Sequence, residues 1–334
     1  LIAAGTAGAL GLLAGGCSRE GTEAAPPGSP GLGRRPGRPV LPDREPPPVP
    51  EDPGPLSPFT GLTAEPGPVL AVKIDNAPAA RPATGLEQAD LIYGLPVEGG
   101  LSRLLAVFSS KIPETVGPVR SARQSDLLLL AQFGAPAVAY SGSHSALKPA
   151  LRDAPLVPLT EDSASGAYFR GSGRAAPHNL YLRTADALAG VAAEVSRAAD
   201  VGFRFGEAPD GGEPVAERSV SYATASFGFR WSAGERRWLV ALDGAPAVSD
   251  AGAELGAATV VLQRVGFGRT TLGDPATPYP ITTGSGTATV LRDGREYEAV
   301  WERPDETAGT TFTTPSGEPC RFAPGQLWVV VVSG

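Results

Sequence analysis

The stretch ADLIYGLPVEGGLSRLLAVFSS, Ala89 to Ser110, carries two apolar runs, Leu91 to Tyr93 and Leu101 to Phe108, on either side of Gly99-Gly100. Paired glycines reach the positive φ angles that a tight reversal needs, so the stretch predicts a β-hairpin. Upstream, VLAVKIDN (Val69 to Asn76) is a short apolar run that ends in polar residues, as a buried strand does. Downstream, VGPVRSAR (Val116 to Arg123) precedes the leucines of Asp126 to Phe133, which read as a buried helix stopped by Gly134. APAVAYSG (Ala135 to Gly142) reads as another strand. Thr184 is placed to cap ADALAGVAAEVSRAAD, where Leu188, Val191, Ala192 and Val195 fall at helical spacing. Residues 59–205 are therefore expected to form a mixed α/β domain.

Periodicity vanishes over GEAPDGGEPVAE, residues 206–217, the expected linker. Beyond it SVSYAT, FGFRW, RRWLVALDG, ATVVLQRV, GTATVLRDG, REYEAVW, GTTFTT and QLWVVVV are strand-like pieces parted by Gly, Asp and Pro turns. Residues 218–334 are expected to be a mostly β domain, a sandwich or small barrel, so the fold class is α+β. With 43 glycines, 35 prolines and only 19% charged residues, helix should be the minority structure.

The chain begins LIAAGTAGALGLLAGGCSRE, uncharged from Leu1 to Gly16. The apolar part is shorter than the roughly 20 residues of a membrane span and reads as an export signal. LAGGC resembles a bacterial lipobox, which implies a signal peptide over 1–16, lipidation of Cys17 and anchoring to the extracytoplasmic face of the cell membrane. Residues 17–58, with EPPPVPEDPGPLSP, are too poor in apolar groups to fold and read as a Pro/Gly-rich disordered tether. If Cys17 is acylated, the other cysteine, Cys320, has no partner; without a neighbouring histidine it reads as a small buried residue. The net charge of −7 argues against a nucleic-acid partner.

Polar groups gather at the ends of the apolar runs: Asp75, Asn76, Arg81, Asp90, Glu98, Arg103, Arg120, Arg123, His178 and Asn179. A helix start carries partial positive charge, so Arg120 and Arg123 just before one need negative charge nearby. Two readings remain open. Either the arginines pair with Asp75, Asp90 and Glu98 in a closed network, or Arg120, Ser121 and Arg123 and their neighbours hold an anion. Asp75, Asn76 and Glu98 are also oxygen donors that a divalent cation accepts, although no spacing specifies a metal site and no cofactor is evident. Asp75, Glu98 and His178 are the candidates for acid or base catalysis. His144 stands among Ser141, Ser143 and Ser145 without a G-x-S-x-G turn.

VKIDNAPAARPATGLEQADLIY, VEGG, VGPVRSAR and PHNLY, in this order, resemble the YerB-like lipoproteins, and FGFRW, GSGTATVLRDG and PGQLWVVVV resemble the β-rich second domain of that family. The resemblance implies a two-domain envelope lipoprotein and names no reaction. Gly94 departs from the acidic residue usual there, and Ala83 from a frequent glutamine. The expected function is a membrane-anchored protein binding an anionic cell-wall or lipid-linked ligand. The alternative is a phosphotransferase or hydrolase of envelope polymers.

Overall fold

The structure is a computed structural model that describes residues 54–334; the expected signal peptide, Cys17 and the tether as far as Pro53 lie outside the described residues. Residues 54–58, read as tether, already join the folded part. Ser57 is buried and its carbonyl accepts the Gly61 N–H at 2.8 Å, while Phe59 packs edge-on against Phe133 at 5.5 Å.

The apolar runs become strands. In the first half these are β1 (Leu70–Asp75), β2 (Leu91–Pro96), β3 (Ser102–Phe108), β4 (Thr115–Val116), β5 (Ala137–Ala139), β6 (Val157–Leu159), β7 (Tyr168–Arg170) and β8 (Leu180–Arg183). Interleaved are three short helices, α1 (Gln124–Leu130), α2 (Lys148–Asp153) and α3 (Thr184–Ala189). The second half adds β9 (Glu213–Pro214), β10 (Glu217–Ser221), β11 (Ser226–Ser232), β12 (Arg237–Leu242), β13 (Ala245–Pro246), β14 (Gly256–Ala257), β15 (Thr259–Arg269) and β16 (Pro278–Ile281). It closes with β17 (Gly284–Arg292), β18 (Arg295–Arg303), β19 (Thr311–Thr313) and β20 (Leu327–Ser333). The described chain is thus mostly strand with few helices.

The predicted hairpin is present: β2 and β3 pair antiparallel, with Tyr93 opposite Leu105, and Gly99 and Gly100 sit at φ near +70° in the turn. The main sheet runs β19-β18-β17-β15-β20-β2-β3-β1-β5-β6, with β9 and β16 attached to its second-half strands. Its centre is the parallel contact of β2 with β20, Leu91 opposite Leu327 through Gly94 opposite Val330. The second half therefore does not close into a barrel of its own. It lends β15 to β20 to a sheet shared with the first half, and folds β10 to β14 into a five-stranded sheet stacked on it.

Both faces of the shared sheet are covered, which explains why its central strands are apolar at consecutive positions. On one face Ile92, Leu104, Trp328 and Val330 meet Phe227, Phe229, Trp238 and Val240 of the five-stranded sheet. On the other, Tyr93, Leu105 and Val329 meet Leu129 and Leu130 of α1 together with Phe59 and Phe133. Gly94 is fixed by this packing: a Cβ there would lie 3.0 Å from Phe227 Cζ.

The helix expected from Thr184 to about Asp200 stops at Ala189. Gly190 breaks it, and Ser196 to Ala198 are drawn instead to the start of β1 and to the residues before β5. There Val69 N donates to Ser196 O at 2.8 Å, Ser196 N to Ala135 O at 2.9 Å and Ala198 N to Gly67 O at 2.9 Å. These tertiary backbone bonds override the helical propensity of this alanine-rich segment. Thr184 is not the cap either, since its hydroxyl turns to the Pro113 carbonyl. Gly206 to Glu217, expected as a plain linker, is pinned by β9 pairing with β18 and by Arg292 donating to Gly206 O at 2.9 Å.

Candidate functional site

β1 delivers Asp75 to the C-terminal edge of the shared sheet, opposite Arg103 of β3. The segment after β4 runs beside it, with Asp75 N donating to Pro118 O at 2.8 Å and Arg120 N to Lys73 O at 2.7 Å, so Arg120 is fixed next to Asp75. Val119 N donates to Leu180 O at 2.6 Å, which brings the loop before β8, and with it His178, to the same place.

The Asp75 side chain is fully buried, with four donors around it. Oδ2 lies 3.0 Å from Arg120 Nε and 2.7 Å from His178 Nδ1. Oδ1 lies 3.4 Å from Arg103 Nη1 and accepts the Ala77 N–H at 3.1 Å. Burial pushes the Arg103 guanidinium down and Asp75 opposes that push. Arg120 and His178 are both about 25% exposed. Arg120 approaches the carboxylate through Nε, a buried nitrogen that pairs by charge without a hydrogen bond, and among the described residues neither of its terminal nitrogens has a protein partner; His178 Nε2 has none.

Arg123 has a different fate. It forks onto Glu98, Nε to Oε1 at 2.7 Å and Nη2 to Oε2 at 3.0 Å, and gives Nη1 to the Ser121 and Ala122 carbonyls at 3.1 and 3.2 Å. Burial alone would raise the Glu98 carboxyl, but bonds from Arg123 and Thr277 outweigh it and hold the group at about 2. The start of α1 receives its negative charge from within: Asp126 Oδ2 accepts the Arg123 N–H at 2.7 Å, and Asp126 Oδ1 takes buried Lys73 at 2.5 Å. Burial lowers the Lys73 ammonium against the pull of Asp126. α1 has only seven residues, and its own Asp126 carboxylate supplies negative charge at its start.

The remaining candidates divide cleanly. Asn76 gives Nδ2 to Ser102 Oγ at 2.8 Å and accepts Arg81 Nε at 3.2 Å, while Arg81 reaches Asp243 at 2.8 Å and so clamps the β12–β13 turn to the end of β1. Asn179 gives Nδ2 to the Gly171 and Arg174 carbonyls, both at 2.9 Å, and closes the loop that presents His178. Asp90 accepts the Ser109 and Ser110 N–H groups at 2.6 and 2.9 Å and contacts none of the arginines. In this structure the polar groups of Asn76, Arg81, Glu98, Arg123 and Asn179 are bonded to the protein, so these side chains serve to build the site's walls. Ser121 lines a cleft of about 220 Å³ with Glu98, Arg123, Gln124, His144 and Thr277; neither Arg120 nor His178 lines it. His144 Nδ1 in that cleft accepts the Ala146 N–H at 3.2 Å, and no serine hydroxyl bonds either histidine among the described residues. Asp75 and Glu98 are each taken by guanidinium groups, and among the described residues no three His, Cys, Asp or Glu side chains cluster as a metal set.

Two partners escaped sequence reasoning. Lys73, a lone cation inside an apolar run, was a visible signal of a buried pair; Thr277 carried no local sign of its bond to Glu98.

Comparison with known proteins places this geometry in a family. The profile for the N-terminal domain of a protein family of unknown function, DUF3048, matches residues 59–198, and that for its C-terminal domain matches residues 218–329. The chain belongs to the DUF3048 family. A relative from Bacillus subtilis (strain 168) named "Putative lipoprotein YerB" is 36% identical over 129 residues, a match spanning 37% of this chain and 39% of that protein. The crystal structure of the Bacillus subtilis YerB protein aligns with a TM-score of 0.72 at 20% identity, covering 84% of this chain and 97% of that one, which shows that the two share a fold. Among the described residues no helix is long and apolar enough to cross a membrane.

Proposed function

We propose that this DUF3048 protein is a lipoprotein anchored through Cys17 on the extracytoplasmic face of the cell membrane, and that it binds an anionic envelope component at Arg120 and His178. The observation that carries the reading is the division of labour around Asp75. One buried carboxylate serves two arginines and a histidine, which leaves a surplus positive charge, and the partly exposed members of that set, Arg120 and His178, keep unbonded nitrogens. A guanidinium with free terminal donors suits phosphate or carboxylate oxygens. The lipobox-like LAGGC and the name of the Bacillus relative support the anchor. Native mass spectrometry of the protein purified from its own envelope should find a retained anionic ligand that is lost in Arg120→Gln; a wild-type protein that carries nothing, or a variant that keeps the ligand, contradicts the reading.

A second reading is favoured by the 2.7 Å contact of His178 Nδ1 with Asp75, which leaves Nε2 of the neutral imidazole as a proton acceptor. On this reading His178 is the base of an envelope-polymer transferase or hydrolase. Glu98, held ionised by Arg123 and Thr277, is a poor acid for either reading. Turnover of a wall precursor that disappears in His178→Gln while ligand retention survives would select the enzyme.

A further inference from the structure

The two cationic side chains left open at Asp75 differ in one respect that restricts what they can hold. Arg120 presents donors at every physiological pH. His178 does not. Its Nδ1 faces Asp75 Oδ2 at 2.7 Å, so the proton of a neutral ring sits on Nδ1, bonded to the carboxylate, and Nε2 carries a lone pair. An oxyanion seated on Arg120 would meet that lone pair as repulsion. It meets a hydrogen-bond donor only when the ring is protonated on both nitrogens.

The charge count gives the same direction. Around Asp75 the facing ionic groups are Arg103 from β3, Arg120 from the segment after β4 and His178 from the loop before β8, and the Arg123–Glu98 pair that also acts on Arg103 adds no net charge. Arg170 and Arg174 of that loop turn away, to Asn179 and to Tyr181 and the Pro82 carbonyl. With His178 neutral the set has one surplus positive charge, enough for a monoanion. With His178 protonated it has two. Arg120 Nε and His178 Nδ1 approach the same carboxylate oxygen, at 3.0 and 2.7 Å, so the two side chains are neighbours and one small anion that bridges them would feel both charges.

We infer that the occupant is a dianionic tetrahedral oxyanion, a phosphate either free or as a monoester, and that it enters together with one proton taken up at His178 Nε2. This rests on the anion-binding reading above. The proton comes from solvent and returns to it on release, and no bond other than N–H is made or broken.

The test uses the lipid-free chain and three probes in isothermal titration calorimetry: sulfate, which is a dianion at every working pH; dimethyl phosphate, always a monoanion; and methyl phosphate, a monoester. Sulfate should bind at least tenfold tighter than dimethyl phosphate near pH 6. Its affinity should fall as pH rises, by up to about tenfold per pH unit. The observed enthalpy should vary with buffer ionisation enthalpy as expected for uptake approaching one proton per sulfate at the upper end. His178→Gln should bind sulfate more weakly and without pH dependence. Methyl phosphate that binds like sulfate points to a phosphate carried at the end of a lipid or polymer; methyl phosphate that is rejected while inorganic phosphate binds points to the free ion. Equal affinity for dimethyl phosphate, or sulfate binding that is flat with pH and takes up no proton, overturns the inference and leaves the anion site standing. Sulfate that fails to bind, or that binds Arg120→Gln as well as wild type, overturns both.

Discussion

Replacing Asp75 by asparagine keeps the shape of the side chain and removes the charge on which the site is built. Arg103, nearly buried, would retain only its 2.9 Å bond to the Ser102 carbonyl, and His178 would lose the acceptor that orients it. Breaking a buried ion pair by removing one partner costs about 3–5 kcal/mol. Arg120 is a quarter exposed and can turn to water, so the loss should fall at the lower end, about 3 kcal/mol. That is a large part of a total stability of about 5–15 kcal/mol. Urea unfolding followed by tryptophan fluorescence should then show a midpoint lower by about 1 M, for a slope of about 3 kcal/mol/M. Arg120→Gln should cost less, about 1 kcal/mol or below, since Arg120 makes a single ion-pair contact without a hydrogen bond and its side chain is partly exposed. An Asp75→Asn protein within about 0.5 kcal/mol of wild type, or more stable than it, would refute the view that this carboxylate is the hub of the cluster.

Other expectations follow from single contacts. Gly94→Asp places a Cβ 3.0 Å from the Phe227 ring and buries a carboxylate between two sheets, so it should destabilise by about 3 kcal/mol or more, read as a loss of soluble yield or a lower melting temperature. Glu98 has its folded carboxyl lowered from 4.5 to about 2, so the stability it adds is full above about pH 4.5 and is lost as pH falls toward 2. Acid titration of wild type against Glu98→Gln should expose a gap of about 1–3 kcal/mol that closes across that window, discounted for partial exposure; a gap that widens with acid reverses the sign and contradicts it. The Cys320 thiol is buried and pushed up to about 11, so in a Cys17→Ala background it should resist a thiol-specific dye at pH 8 until urea unfolds the chain.

Strands were legible wherever a short apolar run met glycine or a polar end: β1, β2 and β3 lie within two or three residues of VLAVKIDN and the two runs about Gly99-Gly100. Their partners were not. β20 joins β2 across most of the chain, a pairing set by the burial of Leu327 and Val329 against the α1 face and not by any local pattern. The helical spacing of Leu188, Val191 and Val195 was real, yet backbone groups at Val69, Gly67 and Ala135 needed partners and took Ser196 to Ala198. The arginines before α1 create a demand for negative charge that the sequence makes visible. What the sequence did not reveal is that Asp126, three residues on, and Glu98 meet that demand at Arg123, whereas Asp75, shared three ways, meets it only partly at Arg120. Asp75 and His178 stand 103 residues apart, so only the fold brings them to 2.7 Å.

The account turns on whether Arg120 and His178, gathered on Asp75, form a seat for an anion. Crystals of the lipid-free chain soaked in tungstate, a tetrahedral dianion with strong anomalous scattering, test this most directly. The account predicts an anomalous peak within hydrogen-bonding distance of the Arg120 terminal nitrogens and His178 Nε2, absent in Arg120→Gln crystals. A map empty at that position, or a peak that persists unchanged without Arg120, contradicts it.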